Sequence, residues 1–135
     1  MIREFRESDA ESTIALWRTT EWASVSEADS PKHIAKFLAR NPGCSWVAEE
    51  RGVLVGTVLC GHDARRGYIY HLVVDAHRRE SGIGRDLLEK ALDSLRSHGV
   101  AKCHAIVLDG NPAAELFWTR LGWQKQPTSQ YSMLL

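Results

Sequence analysis

The sequence carries no excess of either charge, no paired cysteine spacing and no long apolar run. Lys and Arg number 17 and Asp and Glu number 17 in 135 residues. A zero net charge removes the global positive field by which many nucleic-acid binders gather phosphate, leaving only local patches. The three cysteines (Cys44, Cys60 and Cys103) are odd in number and form no C-x-x-C pair. They read as reduced, mostly buried thiols of a cytoplasmic protein. The longest apolar stretch, Val53 to Cys60, is interrupted by Gly56 and Thr57 and is far too short to cross a bilayer. No apolar run follows Met1 to Arg6, so a secretory signal is not expected. Repeats, low-complexity tracts and linkers are absent, and the length suits one domain over residues 1–135.

What is present alternates between strand and helix patterns. Ile2 to Arg6 reads as a short strand. Ser8 to Glu11 has capping-box spacing, and Ala10, Ile14 and Trp17 then share a helical face to about Thr20. Thr19 to Ser30 reads as an acidic loop holding Glu21, Glu27 and Asp29. Ser30-Pro31 caps a second helix carrying Ile34, Phe37 and Leu38, which Asn41-Pro42-Gly43 stops. Ser45 to Glu50, Val53 to His62 and Gly67 to Val74 are β-rich runs joined by tight turns, an antiparallel meander. Gly82 to His98 is an amphipathic helix ended by Gly99. Lys102 to Leu108 is a strand, and Asn111-Pro112 opens a short helix closed by Gly122. Trp123 to Leu135 is expected to add one or two strands broken at Pro127. The fold class predicted is α+β, a mixed sheet with about four helices.

The informative stretch is the glycine turn between the run ending at Val74 and the helix after Gly82. A helix start exposes unpaired N–H groups and partial positive charge, which suits phosphate. Gly82 and Gly84 lack the Cβ atoms that would hold a pyrophosphate off the backbone, and Arg79 and Arg85 can add charge-assisted bonds. A G-x-G pair alone is weak, since it equally suits close packing of helix on sheet. Leu87 occupies the third glycine position of a dinucleotide fingerprint, and no G-K-[ST] follows to make a P-loop.

Two segments carry a resemblance. Arg79, Gly82 and Gly84 fit [RQ]-x-x-G-x-[GA], with the apolar pair Leu87-Leu88 behind. Asn111 to Trp123 follows N-x-x-A-x-x-[LF]-Y-x-x-x-G-[FW] at all but one position. In element order and in both motifs the chain resembles the GNAT superfamily of N-acetyltransferases, with a layout similar to the ribosomal-protein-alanine branch. The resemblance implies a twisted, mostly antiparallel sheet of six to seven strands with a splay between the fourth and fifth. It implies acetyl-CoA as co-substrate: Leu72, Val73 and Val74 pair with the pantetheine arm. Arg79, Glu80, Ser81, Gly82, Ile83, Gly84 and Arg85 cradle the pyrophosphate, and Asn111 and Trp118 reach the arm from the last helix.

The departures are chemical. Ala76 stands where the bend usually has Pro, and Glu80 where it commonly has Gly. Trp118 replaces the tyrosine proposed in the family to protonate the departing thiolate; an indole N–H donates a hydrogen bond but does not release its proton. Positions that carry an acidic base in relatives align with Tyr68 and Ile106, so Tyr68, His71 and His104 are the candidate substitutes, and His71 is of a type that titrates near neutrality. Glu21 and Trp22 suit a cationic acceptor amine. Cys60, His62, Asp63, Cys103 and His104 match no metal-ligand spacing, so no metal is expected. The function expected is an acetyl-CoA-dependent N-acetyltransferase acting on a small-molecule or peptide amine in a ternary complex. The alternative is a non-catalytic acyl-CoA sensor. Neither nucleic acid nor membrane is expected as a partner, and the late strands could pair across a homodimer.

Overall fold

The computed structural model describes residues 1–135. Nine regular elements follow in order: β1 (Ile2–Glu4), α1 (Ala10–Arg18), α2 (Pro31–Arg40), β2 (Trp46–Glu50), β3 (Val53–His62), β4 (Gly67–Val74), α3 (Ile83–Ser97), β5 (Cys103–Ala105) and α4 (Pro112–Arg120). The strands form one sheet in chain order. β1 to β4 pair antiparallel because short turns join most of them, whereas α3 carries the chain across so that β5 lies parallel to β4.

The period-two alternation of β3 and β4 divides the core between the two sheet faces. On one face Trp17, Ile14 and Ile34 of α1 and α2 bury against Val47, Leu59 and Val73. On the other, Leu87, Leu88, Ala91 and Leu95 of α3 bury against Val55, Val58, Cys60 and Ile69. Burial of this kind contributes about 25 cal/mol per Å² of apolar surface removed from water. No helix is long and apolar enough to cross a membrane.

Two helix starts form as their sequences dictate. The Ser30 hydroxyl accepts the His33 N–H at 3.3 Å, and Asn111 Oδ1 accepts the Ala114 N–H at 3.1 Å. The start of α1 differs from the expected Ser8–Glu11 box, since no side chain caps it. Asp9 instead takes the Arg6 N–H at 2.8 Å and a two-pronged bond from Arg3, both prongs 2.8 Å. A charged, bidentate pairing outcompetes a neutral hydroxyl cap.

The sheet is smaller than the expected six to seven strands. It has five, because the predicted strand 102–108 shortens to β5 and residues 123–135 contain none. β5 pairs with β4 only as far as Ile69. Beyond that point β4 turns away, so residues 106–108 have no ladder partner, and Ile106 and Leu108 are exposed. The apolar residues of the tail (Tyr131, Met133, Leu134 and Leu135) are likewise exposed. Pro127, with no N–H to donate, interrupts that segment.

Candidate functional site

The turn of β4 away from β5 has a local cause. Val73 pairs with Thr57 and Tyr70 with Leu59, so His71 and Leu72 together oppose Val58. Two residues against one is a β-bulge, which bends its strand and sharpens the twist. His71 carries it, with φ of +47°. Alternation fails there: Ile69 and Leu72 pack toward α3, while Tyr70 meets Phe37 and His71 meets Trp17 on the α1–α2 face. The β4–β5 ladder ends at Ile69, and Leu72, Val73 and Val74 lie beyond it without a β5 partner.

Backbone polarity along that side is set by alternation. The Asp75 N–H bonds the Val55 carbonyl at 2.8 Å, facing β3. Val74 thus presents its polar groups outward, and Arg79 Nε donates to the Val74 carbonyl at 3.4 Å. Directly after comes the glycine turn. The first amide of α3 with a partner is Asp86 N, on the Gly82 carbonyl at 3.0 Å, and no side chain caps the helix. Ile83, Gly84 and Arg85 therefore hold out three free N–H groups at the positive end of a helix.

The two glycines serve different ends. Gly82 has φ of +86°, and a Cβ built there would meet nothing within 4 Å. Conformation demands this glycine; packing does not. At Gly84 a Cβ would meet Phe117 at 3.5 Å and Val74 at 3.6 Å, ordinary contact distances. Close helix–sheet packing thus accounts for neither. Glu80 shares the left-handed region, with φ of +63°, which is where glycine is at ease and a side chain is not. Arg79, Glu80, Ser81 and Arg85 are exposed.

At α4, Asn111 is bound as a cap through its oxygen only. Trp118 is half-buried, its ring 4.4 Å from Trp123 and 5.2 Å from Phe117. Its environment is aromatic packing against the α3-side core.

The candidate bases separate into two groups. Tyr68 and His104 sit side by side on β4 and β5, ring centroids 5.6 Å apart. His71 stands apart from them, stacked on Trp17 at 3.9 Å with planes 12° from parallel. Its Nε2 lies 3.0 Å from Asp29 Oδ1. Within the acidic loop, Glu21 and Trp22 are exposed, and Trp22 has φ of +70°. Asp29 is the loop residue that reaches inward. Sequence reasoning missed this pairing, and it missed Tyr70, whose ring lies near-parallel to Tyr68 at 6.3 Å. Burial pushes the Tyr70 phenol above its ordinary value, helped by Tyr68 and Asp63. A signal did exist: Tyr68-Ile69-Tyr70-His71-Leu72 places a polar ring where strict alternation calls for an apolar side chain.

The thiols are suppressed by burial. Cys60 is pushed far up and Cys103 up to about 11, neither favouring the thiolate that binds metals. Ligand atoms of Cys44, His62 and His98 lie within 4.8 Å of one another, a grouping unlike the one considered from sequence. Burial raises the Cys44 thiol too, and His62 Nδ1 already accepts the Ala64 N–H at 3.0 Å.

Comparison with known proteins gives consistent findings. Residues 6–123 match the Acetyltransferase (GNAT) family model. An acetyltransferase of Pectobacterium atrosepticum is 32% identical over 123 residues, covering 91% of this chain and 86% of that one. An acetyltransferase of Yersinia enterocolitica is 31% identical over 127 residues, covering 94% and 89%. Among solved structures, the PaiA N-acetyltransferase of Thermoplasma acidophilum in complex with coenzyme A superposes with a TM-score of 0.82. It shares 19% identity over 96% of this chain and 92% of that one, a likeness of fold.

Proposed function

The chain belongs to the GNAT family of acetyltransferases, and from that premise we propose that it moves an acetyl group from acetyl-CoA to a primary amine by direct attack in a ternary complex. One observation carries this reading: the free edge of β4 adjoins the three unpaired amides of Ile83, Gly84 and Arg85. An extended amide-bearing arm needs the first, and a pyrophosphate at its end needs the second. The space ahead of Gly82 and the absence of a Cβ at Gly84 fit such a ligand. PaiA, of the same fold, was solved with coenzyme A bound.

In this reading Leu72 and Val74 hold the arm through backbone groups, Val73 between them turning its own toward β3, and the turn from Arg79 to Arg85 holds the phosphates. Asn111 caps α4 with its oxygen and keeps its amide nitrogen for the arm. When bound, acetyl-CoA supplies an activated thioester, whose C–S bond breaks as the amide C–N bond forms. His71 takes the proton released by the amine, with the Tyr68–His104 pair bordering the same face. Trp118 packs α4 and can offer an N–H to sulfur. A thiol that ionises near pH ~8.5 leaves tolerably without an acid. The exposed Glu21 and Trp22 suit a cationic acceptor, whether a peptide α-amine or a small polyamine.

Two measurements on one preparation test this. Acetyl-CoA should raise the melting temperature, and a panel of α-amines, lysine-like amines and polyamines should include one that releases free CoA thiol. Absence of stabilisation by acetyl-CoA would overturn the cradle; stabilisation without thiol release on any amine would overturn the transfer.

A further inference from the structure

We propose that Asp29 is a positioning residue: its carboxylate fixes His71 as the Nε2–H tautomer and so leaves Nδ1 as the lone pair that receives the amine's proton. This rests on the reading of His71 as the base. Asp29 ends a 3-10 turn at Glu27–Asp29, inside the acidic loop between α1 and α2. One oxygen meets His71 Nε2 at 3.0 Å, and the other takes the Ser26 N–H at 3.0 Å. An ionised carboxylate only accepts, so the ring proton sits on Nε2, and Nδ1 of the neutral ring is an acceptor. Nδ1 has no partner in the protein, yet no buried side-chain nitrogen or oxygen is left unpaired. Nδ1 therefore opens toward solvent and whatever enters from it.

Three further contacts hold the imidazole still. Trp17 covers its face. The Thr57 hydroxyl donates to the His71 carbonyl at 2.9 Å, and the Trp17 indole N–H donates to the same hydroxyl at 2.8 Å. Ring plane, backbone and in-plane rotation are each fixed by a separate partner. Histidine at φ of +47° inside a strand departs from extended backbone, a conformation uncommon for any residue but glycine. The Tyr68–His104 pair has no carboxylate behind it. By the logic of a carboxylate behind a catalytic histidine, Asp29 also stabilises the imidazolium formed when Nδ1 accepts the proton. Since Asp29 belongs to the α1–α2 loop, seating of that loop and readiness of the base become one event.

The test compares Asp29→Asn, Asp29→Glu, His71→Gln and the double variant Asp29→Asn/His71→Gln. An asparagine amide can hand its own N–H to Nε2 and drive the ring proton onto Nδ1. Ring-nitrogen NMR of the ligand-free protein should show the Nε2–H tautomer in the wild type and its loss in Asp29→Asn. The kcat of Asp29→Asn should fall about 10- to 100-fold, less than the roughly 10²–10⁴ a general base itself supplies, because Asp29 acts only through His71. The KM for acetyl-CoA should stay within about twofold, and Asp29→Glu should recover part of the loss. Because Asp29 acts through His71, the double variant should be no slower than His71→Gln alone. Retained thermal stabilisation by acetyl-CoA shows that each variant is folded. If His71→Gln keeps full kcat, the base reading itself fails. If His71→Gln is slow while Asp29→Asn keeps the tautomer and the rate, only the role of Asp29 is overturned.

Discussion

The Trp17 indole lies flat on the His71 imidazole while its N–H is tied to the Thr57 hydroxyl, which in turn holds the His71 carbonyl. Trp17 and Thr57 are both fully buried. One hydroxyl therefore satisfies a donor on α1 and an acceptor on the bulge. Thr57→Val keeps the shape and strands both groups, at about 1–3 kcal/mol for each unsatisfied partner. The unfolding free energy from urea titration should fall by about 2–6 kcal/mol, whereas Thr57→Ser, which keeps the hydroxyl, should lose about 1 kcal/mol. Equal stability of Thr57→Val and wild type would show that the chain of bonds does not secure the bulge.

Gly82 and Gly84 should part company on substitution. At Gly82 the left-handed backbone charges alanine roughly 1–2 kcal/mol in folding stability, with open space doing nothing to relieve it. At Gly84 the new methyl meets only Phe117 and Val74 at ordinary distances, so folding tolerates it. The motif that Gly84 fits admits alanine at this position. Gly84→Ala should leave the melting temperature within about 4 °C of wild type and CoA affinity within about twofold. A tenfold loss of affinity, close to 1.4 kcal/mol, would mean that the ligand approaches residue 84 more closely than a glycine-or-alanine position allows.

Most of this architecture is legible in the residues, and the exceptions share a cause. The Ser30 and Asn111 caps, the meander turns and the α3 boundary follow from local chemistry, because each is decided within four or five residues of chain. The short β5 and the strandless 123–135 segment were not legible, since they depend on where β4 stops offering a partner. That in turn depends on the bulge at His71, created by contacts with Trp17 and Thr57 far away in sequence. Arg79, Gly82 and Gly84 stood out because a helix start recruits phosphate by local geometry. Asp29 did not, because an acidic residue in a loop acquires meaning only once folding carries it to a histidine 42 positions later.

Glu80 is in the wrong conformation and carries the wrong charge for its surroundings. Its φ of +63° suits glycine, and its carboxylate lies in the turn assigned to an anionic ligand. Glu80→Gly relieves roughly 1–2 kcal/mol of left-handed strain, offset in part by the larger backbone entropy of glycine. Net stability should therefore change little, while CoA affinity rises several-fold. The electrostatic part of that gain should shrink between low salt and about 1 M salt, where the Debye length falls to about 3 Å. Isothermal titration at both ionic strengths measures it. Unchanged affinity at low salt would mean that the Glu80 carboxylate points clear of the ligand.

The Arg3–Asp9 pair ties β1 to the start of α1 and should make stability fall in acid. Burial alone would raise the Asp9 carboxyl, but the Arg3 guanidinium and the Arg6 N–H outweigh it and hold it below its ordinary value. A carboxylate depressed in the folded state contributes fully above its unfolded value, near pH ~3.9, and loses that contribution as pH falls through the lower folded value. Asp9→Asn should accordingly be less stable than wild type by about 1–3 kcal/mol at neutral pH, the worth of a hydrogen bond to a charged group. The gap should hold down to about pH 5 and close below about pH 4. Urea midpoints measured for both proteins between about pH 7 and pH 3 decide it. A gap of constant size across that range would mean the asparagine costs packing, and that the charge on Asp9 contributes nothing to folding.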